Sequence, residues 1–247
     1  MPVFYENRQL VTPGDLLADN DYMNGENTFN ENGKIYATRV GLFMSENKRI
    51  YVVALKAFYI PMAGDVVIGK VLEVTMGGWV VDIRAPYVAM LRASDALERP
   101  FKPQKDDLPQ LFDVGDIMIA KIVAYDRTRD PLLTVLERGL GKVMRGQTIE
   151  ITPTKIPRVI GKQGSMVSMI KQETDCQISI GQNGRIIISG KTPEDERLAI
   201  MAIRKIEQEA HTTGLTDRVT EMLKKEKGEK SKKEEIEDVP KETGKTD

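Results

Sequence analysis

The chain has 247 residues, of which 40% are hydrophobic and 30% are charged, a composition typical of a soluble protein with room for two or three small domains. The 36 basic and 37 acidic residues give a net charge of −1, so no overall basicity indicates a polyanionic partner. The single cysteine, Cys176, excludes an intrachain disulfide and a multi-cysteine zinc site. No apolar run approaches the ~20 residues of a membrane span, and the N-terminus lacks a signal-peptide pattern. We therefore expect a cytoplasmic protein with no membrane partner.

Residues 1–60 predict a small all-β module. Thr12-Pro-Gly-Asp15 is typical of a tight turn, and strand-like runs follow at Lys34–Val40, Gly41–Met44 and Arg49–Lys56. This segment contains no catalytic constellation. Its expected work is packing or docking onto another protein.

Residues 61–138 predict a second β module, which begins after the boundary at Tyr59–Asp65. Its strand-like runs are Asp65–Val74, Trp79–Arg84, Tyr87–Leu91, Asp116–Tyr125 and Leu132–Leu136. Five strands with a long loop between the third and fourth predict a small closed barrel of the OB type. Such barrels bind single strands by stacking bases on aromatic rings and by pairing phosphates with basic side chains.

Residues 146–212 are organised around Gly161-Lys-Gln-Gly164. A bare G-x-x-G is usually only a turn, but this one lies between two helix-like runs. Strands are predicted at Gln177–Ile180 and Arg185–Ser189, and a helix begins after a Thr192 N-cap. Two glycines allow a nucleic-acid backbone to approach the loop and the following helix N-terminus, and Lys162 adds a positive charge. From Ile151 to Lys191, six basic and two acidic residues give a local charge of +4.

Residues 213–247 are rich in Lys and Glu, with eight bases and eight acids between Lys224 and Asp247. Such a segment buries too little apolar surface to offset its chain entropy, so we expect a disordered charged tail. Charge pairs at i, i+4 leave open an extension of the last helix into it.

Two regions of the chain, the second β module and the region around the G-x-x-G loop, resemble known families. Asp65–Val74, Gly77-Gly-Trp79 and Leu91-Arg-Ala-Ser94 resemble the S1 RNA-binding domain, and Gly146–His211 resembles a type I-like KH domain. The fold class is thus multidomain, mainly β and then α+β. The KH resemblance implies RNA contacts at Arg158, Gly161, Lys162, Gln163 and Gly164. The S1 resemblance implies an RNA-binding face formed by Lys70, Trp79, Arg92, Lys121, Arg127 and Arg129.

Three alternatives remain open at these sites. Trp79 lies where S1 domains carry a base-stacking aromatic ring, but it could instead fill the barrel. Met76 falls on the other usual aromatic position of the family. Arg158 and Arg185 could each contact a phosphate or simply be solvated at the surface. The G-x-x-G loop could clamp RNA or form a contact in an assembly.

The order β module, S1 domain, KH domain resembles the KH-containing RNA-binding cap subunit of the archaeal exosome. That resemblance implies three caps on a hexameric ring of phosphorolytic exoribonuclease subunits, docked through the N-terminal module. It implies guidance of single-stranded, adenine-rich RNA into the ring for 3′-to-5′ degradation. It leaves other cap proteins open as further partners.

We expect no enzyme, no metal and no cofactor. The only histidine is His211, the acids are scattered, and Gly161-Lys-Gln-Gly164 lacks the spacing of a P-loop. One alternative is a stand-alone single-stranded RNA-binding factor in translation or RNA chaperoning. Another is a phosphorolytic polymerase, which carries the two domains in the opposite order beside large catalytic domains that are missing here.

Overall fold

The computed structural model describes residues 3–19, 21–55, 58–97, 99, 101–102, 107–126, 128–210, 212 and 214–237, with side chains of the last helix described to residue 227. The chain divides into two compact units. The first is Met1–Phe58 with Thr152–Thr154, and the second is Tyr59–Ile151 with Lys155–Asp247. None of the described helices is both long and apolar enough to cross a membrane.

The first unit is built from short strands in two sheets. Its described strands are β1 (Leu10–Val11), β2 (Leu16–Asp19), β3 (Met23–Asn24), β4 (Thr28–Glu31), β5 (Lys34–Ala37), β6 (Gly41–Glu46) and β7 (Arg49–Ala54). The sheet orders are β1-β6-β7-β3 and β2-β5-β4. Side chains alternate along a strand, so Phe43, Ile50 and Val52 reach a core that they share with Leu17 and Ile35. The predicted β module is confirmed.

The second unit begins with a closed barrel. Its elements are β8 (Val66–Thr75), β9 (Gly78–Asp82), β10 (Ala89–Arg92), α1 (Leu108–Leu111), β11 (Ile117–Asp126), β12 (Arg129–Thr134) and the short β13 (Gly141–Lys142). The strand order is β12-β10-β9-β8-β11-β13, and an added β11–β12 pairing closes the sheet on itself. Five strands, β8 to β12, closed in this way confirm the predicted OB-type barrel.

The KH domain follows in the order β-α-α-β-β-α. Its elements are β14 (Gln147–Glu150), α2 (Ile156–Ile160), α3 (Ser165–Thr174), β15 (Gln177–Ile180), β16 (Arg185–Ser189) and α4 (Pro193–Gln208). The sheet is antiparallel with order β14-β16-β15. Thr192 caps α4 by accepting a hydrogen bond from Asp195 N at 3.3 Å, so the predicted N-cap is confirmed.

A further helix, α5 (Leu215–Glu237), follows the KH fold. Leu215, Val219 and Leu223 are spaced four residues apart and lie buried in the KH core. The sequence-based boundary at residue 212 therefore falls too early, because the first turns of this charged segment carry an apolar stripe. The expectation of disorder from residue 213 is corrected as far as the described helix extends.

Candidate nucleic-acid interface

The G-x-x-G loop is a tight turn between α2 and α3. Gly161 has φ +74°, and a Cβ there would lie 2.8 Å from the backbone nitrogen of Met166, so only glycine fits. Gln163 and Gly164 also have positive φ, at 51° and 78°. The space where a Cβ on Gly164 would point is open to 4 Å. The loop thus turns a free face outward beside the N-terminus of α3.

The side chains predicted around this loop are accessible. Arg158 on α2 and Lys162 and Gln163 in the loop are all exposed. A backbone phosphate at the loop would meet two cationic side chains and the first N–H groups of α3. The structure therefore keeps the predicted KH-loop residues together and available.

The position of Trp79 contradicts the expectation that its ring stacks on a base. Its side chain is completely buried in the barrel core. The indole Nε1 donates a hydrogen bond to the carbonyl of Phe112 at 2.8 Å, and the two rings meet edge to face with centroids 5.3 Å apart. An indole inside the barrel offers no face to a base, so the predicted stacking role is wrong and the barrel-filling alternative holds.

The described basic side chains predicted on the barrel are spread over four strands. Arg92 and Arg129 are exposed, but parallel pairing of β10 with β12 places them about five residues apart along the strands, roughly 17 Å. Lys70 is exposed on β8, whereas Lys121 is half-buried and pairs with Glu137 at 2.7 Å. Arg127 lies outside the described residues. Beside Arg92, the β8–β9 turn presents Met76 with 97% of its surface exposed.

Arg185 neither contacts a phosphate nor lies solvated at the surface, the two alternatives left open by the sequence. Its side chain is only 9% exposed and is held by two acids. Nη2 pairs with the Asp82 carboxylate at 2.6 Å, and Nε pairs with Glu150 at 3.0 Å. Nη1 also donates to the Asp82 carbonyl at 2.7 Å. Arg185 therefore joins β16 to barrel strand β9 and cannot reach a phosphate on the surface.

The electrostatics of this junction favour the ion pair. Burial opposes ionisation of Asp82 and by itself would raise its pKa. The pKa is nevertheless lowered, because the carboxylate accepts hydrogen bonds from Arg185 and from the Arg84 backbone and lies near the charges of Arg185 and Lys70. Arg84 adds a second link, because its Nη1 donates to the Ile151 carbonyl at 2.6 Å.

The β15–β16 turn completes the contact between the KH domain and the barrel, which no sequence pattern predicts. Asn183 is fully buried and its side chain bonds with barrel backbone at Ile68 and Ile83. Gln182 N donates to the Val66 carbonyl at 2.8 Å. An Asn between glycines is typical of an ordinary exposed turn, so no local signal could have revealed its burial.

The described residues contain no group of three His, Cys, Asp or Glu side chains placed to bind a metal ion. His211 lies outside them.

Comparison with known proteins matches both ends of the chain. The model "Exosome RNA binding protein RRP4 N-terminal domain" matches residues 8–56, and the KH domain model matches residues 146–205. Exosome complex component Rrp4 of Thermococcus kodakarensis is 45% identical over 246 residues, covering 98% of this chain and 95% of that protein. The protein of the same description from Thermofilum pendens is 42% identical, covering 90% of this chain and 94% of its own length.

A solved structure agrees with these relatives. A crystal structure reported for an exosome complex RNA-binding protein is 46% identical to this chain and superposes with a TM-score of 0.67. The match covers 70% of this chain and 99% of that one.

Proposed function

This chain belongs to the Rrp4 family of exosome components, and from that premise we propose that it is a non-catalytic cap subunit that guides RNA. It binds single-stranded, adenine-rich RNA and directs the 3′ end into a phosphorolytic exoribonuclease ring. The observation that carries this proposal is the exposed, cationic G-x-x-G loop in a chain that matches exosome components along nearly its whole length.

RNA contact on the KH domain centres on Arg158, Lys162 and Gln163, with Gly161 and Gly164 shaping the loop. On the barrel, the exposed cations Lys70, Arg92 and Arg129 support phosphate contact. Lys121 contributes less, because Glu137 already neutralises it. Trp79 has no direct part. Met76, exposed beside Arg92, offers an apolar contact to a base at the barrel end.

Docking on the ring is assigned to the first unit, whose outer sheet face is apolar. Leu10 lies opposite Leu42, which lies opposite Val53, across three neighbouring strands. Val40 is joined to Leu55 through a backbone hydrogen bond of 3.2 Å. Leu10, Val40, Val53 and Leu55 are exposed, and exposed apolar patches commonly mark protein interfaces. A stand-alone RNA-binding factor would have no use for this face.

The RNA-binding part is tested by fluorescence anisotropy with a labelled oligoadenylate. Replacing Arg158 and Lys162 together by Ala removes two cations, so affinity should fall about tenfold. The slope of log affinity against log salt should lose about 0.7 per lost phosphate contact. Lys48→Ala, in an exposed hairpin of the first unit, is the matched control. Unchanged affinity and slope in the double variant would remove the KH loop from the RNA site.

The docking part is tested by size-exclusion chromatography with a phosphorolytic ring from a close relative. We expect the wild-type chain to co-elute at three copies per ring. Val53→Asp places a charge in the apolar face and should abolish co-elution, while Lys34→Asp on the other sheet should not. Co-elution of Val53→Asp at wild-type stoichiometry would place the docking surface elsewhere.

A further inference from the structure

The barrel carries an exposed aromatic pair that the sequence did not single out. Tyr87, between β9 and β10, and Tyr125, near the end of β11, bring their ring centroids to 5.9 Å with an interplanar angle of 44°. Tyr87 is 47% exposed, whereas Tyr125 packs partly against the barrel core. We propose that Tyr87, backed by Tyr125, is a base-stacking site for single-stranded RNA, an inference that rests on the RNA-binding function proposed above.

The chemistry of this place suits a nucleotide. A tyrosine ring combines an apolar face for a base with a polar edge, and stacking on aromatic rings is a main source of single-strand affinity. Exposed apolar side chains flank both rings along the chain, with Val88 next to Tyr87 and Val123 two residues before Tyr125. With Trp79 enclosed in the core, Tyr87 is a ring on this barrel that a base can reach.

A cation that could contact the adjoining phosphate lies on the same hairpin as Tyr125. Arg129 is exposed and is the strand partner of Asp126, the residue that follows Tyr125. Asp126 carries a negative charge that opposes a phosphate, and its carboxylate accepts hydrogen bonds from the hydroxyl and the backbone N–H of Thr128 and faces Arg129 across the hairpin. The hairpin thus carries an exposed guanidinium opposite the residue that follows Tyr125, and a cation on the same hairpin as the ring favours RNA over an uncharged apolar protein surface.

The loop that carries Tyr87 is held in place before RNA arrives. Arg84, three residues earlier, has φ +54°, and its N–H donates to the Asp82 carboxylate at 2.8 Å. Its guanidinium bonds to the Ile151 carbonyl and pairs with Glu150 at 3.3 Å. A ring on an ordered loop loses less entropy on binding than one on a loop that must be ordered. The loop that carries Tyr87 is therefore anchored directly on the KH domain.

The proposal is tested with the full chain and a labelled oligoadenylate in anisotropy measurements. Tyr87→Ala should weaken binding about tenfold, because one stacking contact is lost. Tyr87→Phe keeps the ring and should bind within twofold of wild type. Tyr51→Ala, at a half-exposed tyrosine of the first unit, is the matched control and should bind normally. Thermal unfolding of each variant checks that the fold is intact.

A second measurement needs no variant. RNA carrying 4-thiouridine is photo-crosslinked to the wild-type chain, and the attached peptide is identified by mass spectrometry; a crosslink at Tyr87 or Tyr125 supports the proposal. The stacking site is overturned if Tyr87→Ala binds RNA normally and no crosslink forms at Tyr87 or Tyr125. The proposed function still stands in that case, provided that wild type binds RNA and the Arg158/Lys162 variant loses affinity. If wild type binds no RNA, both are overturned. Loss of ring co-elution in Tyr87→Ala with unchanged RNA affinity would make the pair a protein contact and overturn the proposal.

Discussion

The side-chain amide of Asn183 pairs with the backbone of Ile68 as a neighbouring β-strand would. Its Nδ2 donates to the Ile68 carbonyl at 2.8 Å, and its Oδ1 accepts from the Ile68 N–H at 3.3 Å. The same Nδ2 donates to the Ile83 carbonyl at 2.8 Å. One KH side chain thereby satisfies three backbone groups of the barrel, two at Ile68 on β8 and one at Ile83 just after β9. The barrel and the KH domain share a buried hydrogen-bond network.

Replacing Asn183 by Ala should destabilise the second unit by about 3 kcal/mol, because three buried backbone groups lose their partner. In wild type the barrel and the KH domain should unfold together, and in the variant the transition should broaden or split. Urea unfolding followed by tryptophan fluorescence and by circular dichroism measures both effects. Gln182→Ala is the matched control, since the exposed Gln182 uses only its backbone in this contact. Equal stability of the two variants would contradict the role of the Asn183 side chain.

Arg185→Met should cost about 3 kcal/mol in unfolding free energy. Removing one partner of a buried ion pair leaves the other without compensation, although partial exposure of Asp82 and Glu150 softens the loss. The comparison is Lys191→Met, which breaks an ion pair with Asp175 in which both side chains are more than two-thirds exposed. That change should leave the free energy of unfolding nearly unchanged, because an exposed ion pair is screened by water and salt. A similar cost for both variants, measured by urea unfolding, would show that burial of Arg185 has no energetic weight.

Asp82 makes stability depend on acid pH. Because its pKa in the folded protein lies below the ordinary value of about 3.9, its ionised form stabilises the fold above that value. This contribution is lost as the pH falls through 3.9 towards the folded pKa. Asp82→Asn should be less stable than wild type at pH 7, and the gap in unfolding free energy should narrow as the pH falls below about 3.9. Unfolding free energies that stay parallel over this range would exclude Asp82 as the titrating group.

Trp79→Ala should destabilise the barrel by about 4 kcal/mol, because a fully buried aromatic side chain leaves a cavity. Any loss of RNA binding in that variant would follow from unfolding. Trp79→Phe is the informative change, since it keeps a buried ring and loses the hydrogen bond to Phe112, for about 1 kcal/mol. We expect its RNA affinity by anisotropy to equal that of wild type. A tenfold loss of RNA affinity in a folded Trp79→Phe variant would show that the indole contacts RNA after all.

Leu223→Ala should cost about 3 kcal/mol, because the side chain of this α5 residue is 2% exposed in the KH core. Lys224→Ala, at the next and exposed position, should leave the thermal midpoint unchanged. Truncation after residue 212 should destabilise the KH domain, whereas truncation after residue 237 should not. A stable KH domain in the shorter protein would show that α5 only rests on its surface.

The parts of the fold that sequence predicts correctly depend on local patterns. Alternating apolar residues predict the barrel strands, and Thr192 with Pro193 predicts the start of α4. The G-x-x-G spacing predicts a tight turn, and the backbone of that turn accepts only glycine at position 161. Each of these signals lies within a few residues of the structure it specifies.

The errors come from partners that are distant in the chain. Trp79 is enclosed by Phe112, 33 residues away, and only closure of the barrel brings the two together. Arg185 pairs with Asp82 across 103 residues, and a charged residue just before three isoleucines gives no hint of that partner. A family resemblance specifies which positions face a ligand on average, but the depth of one side chain depends on how its own barrel closes.

The turn from Gly181 to Gly184 has a consequence for how such proteins vary in length. Hairpin turns usually tolerate added residues, because they lie at the surface and nothing rests on them. This turn has barrel backbone against it, and even a Cβ on Gly181 would approach the Ile68 nitrogen to 2.9 Å. An inserted residue would carry the Asn183 amide out of register with Ile68. Insertions and deletions that accumulate elsewhere on this surface should therefore be absent from this turn.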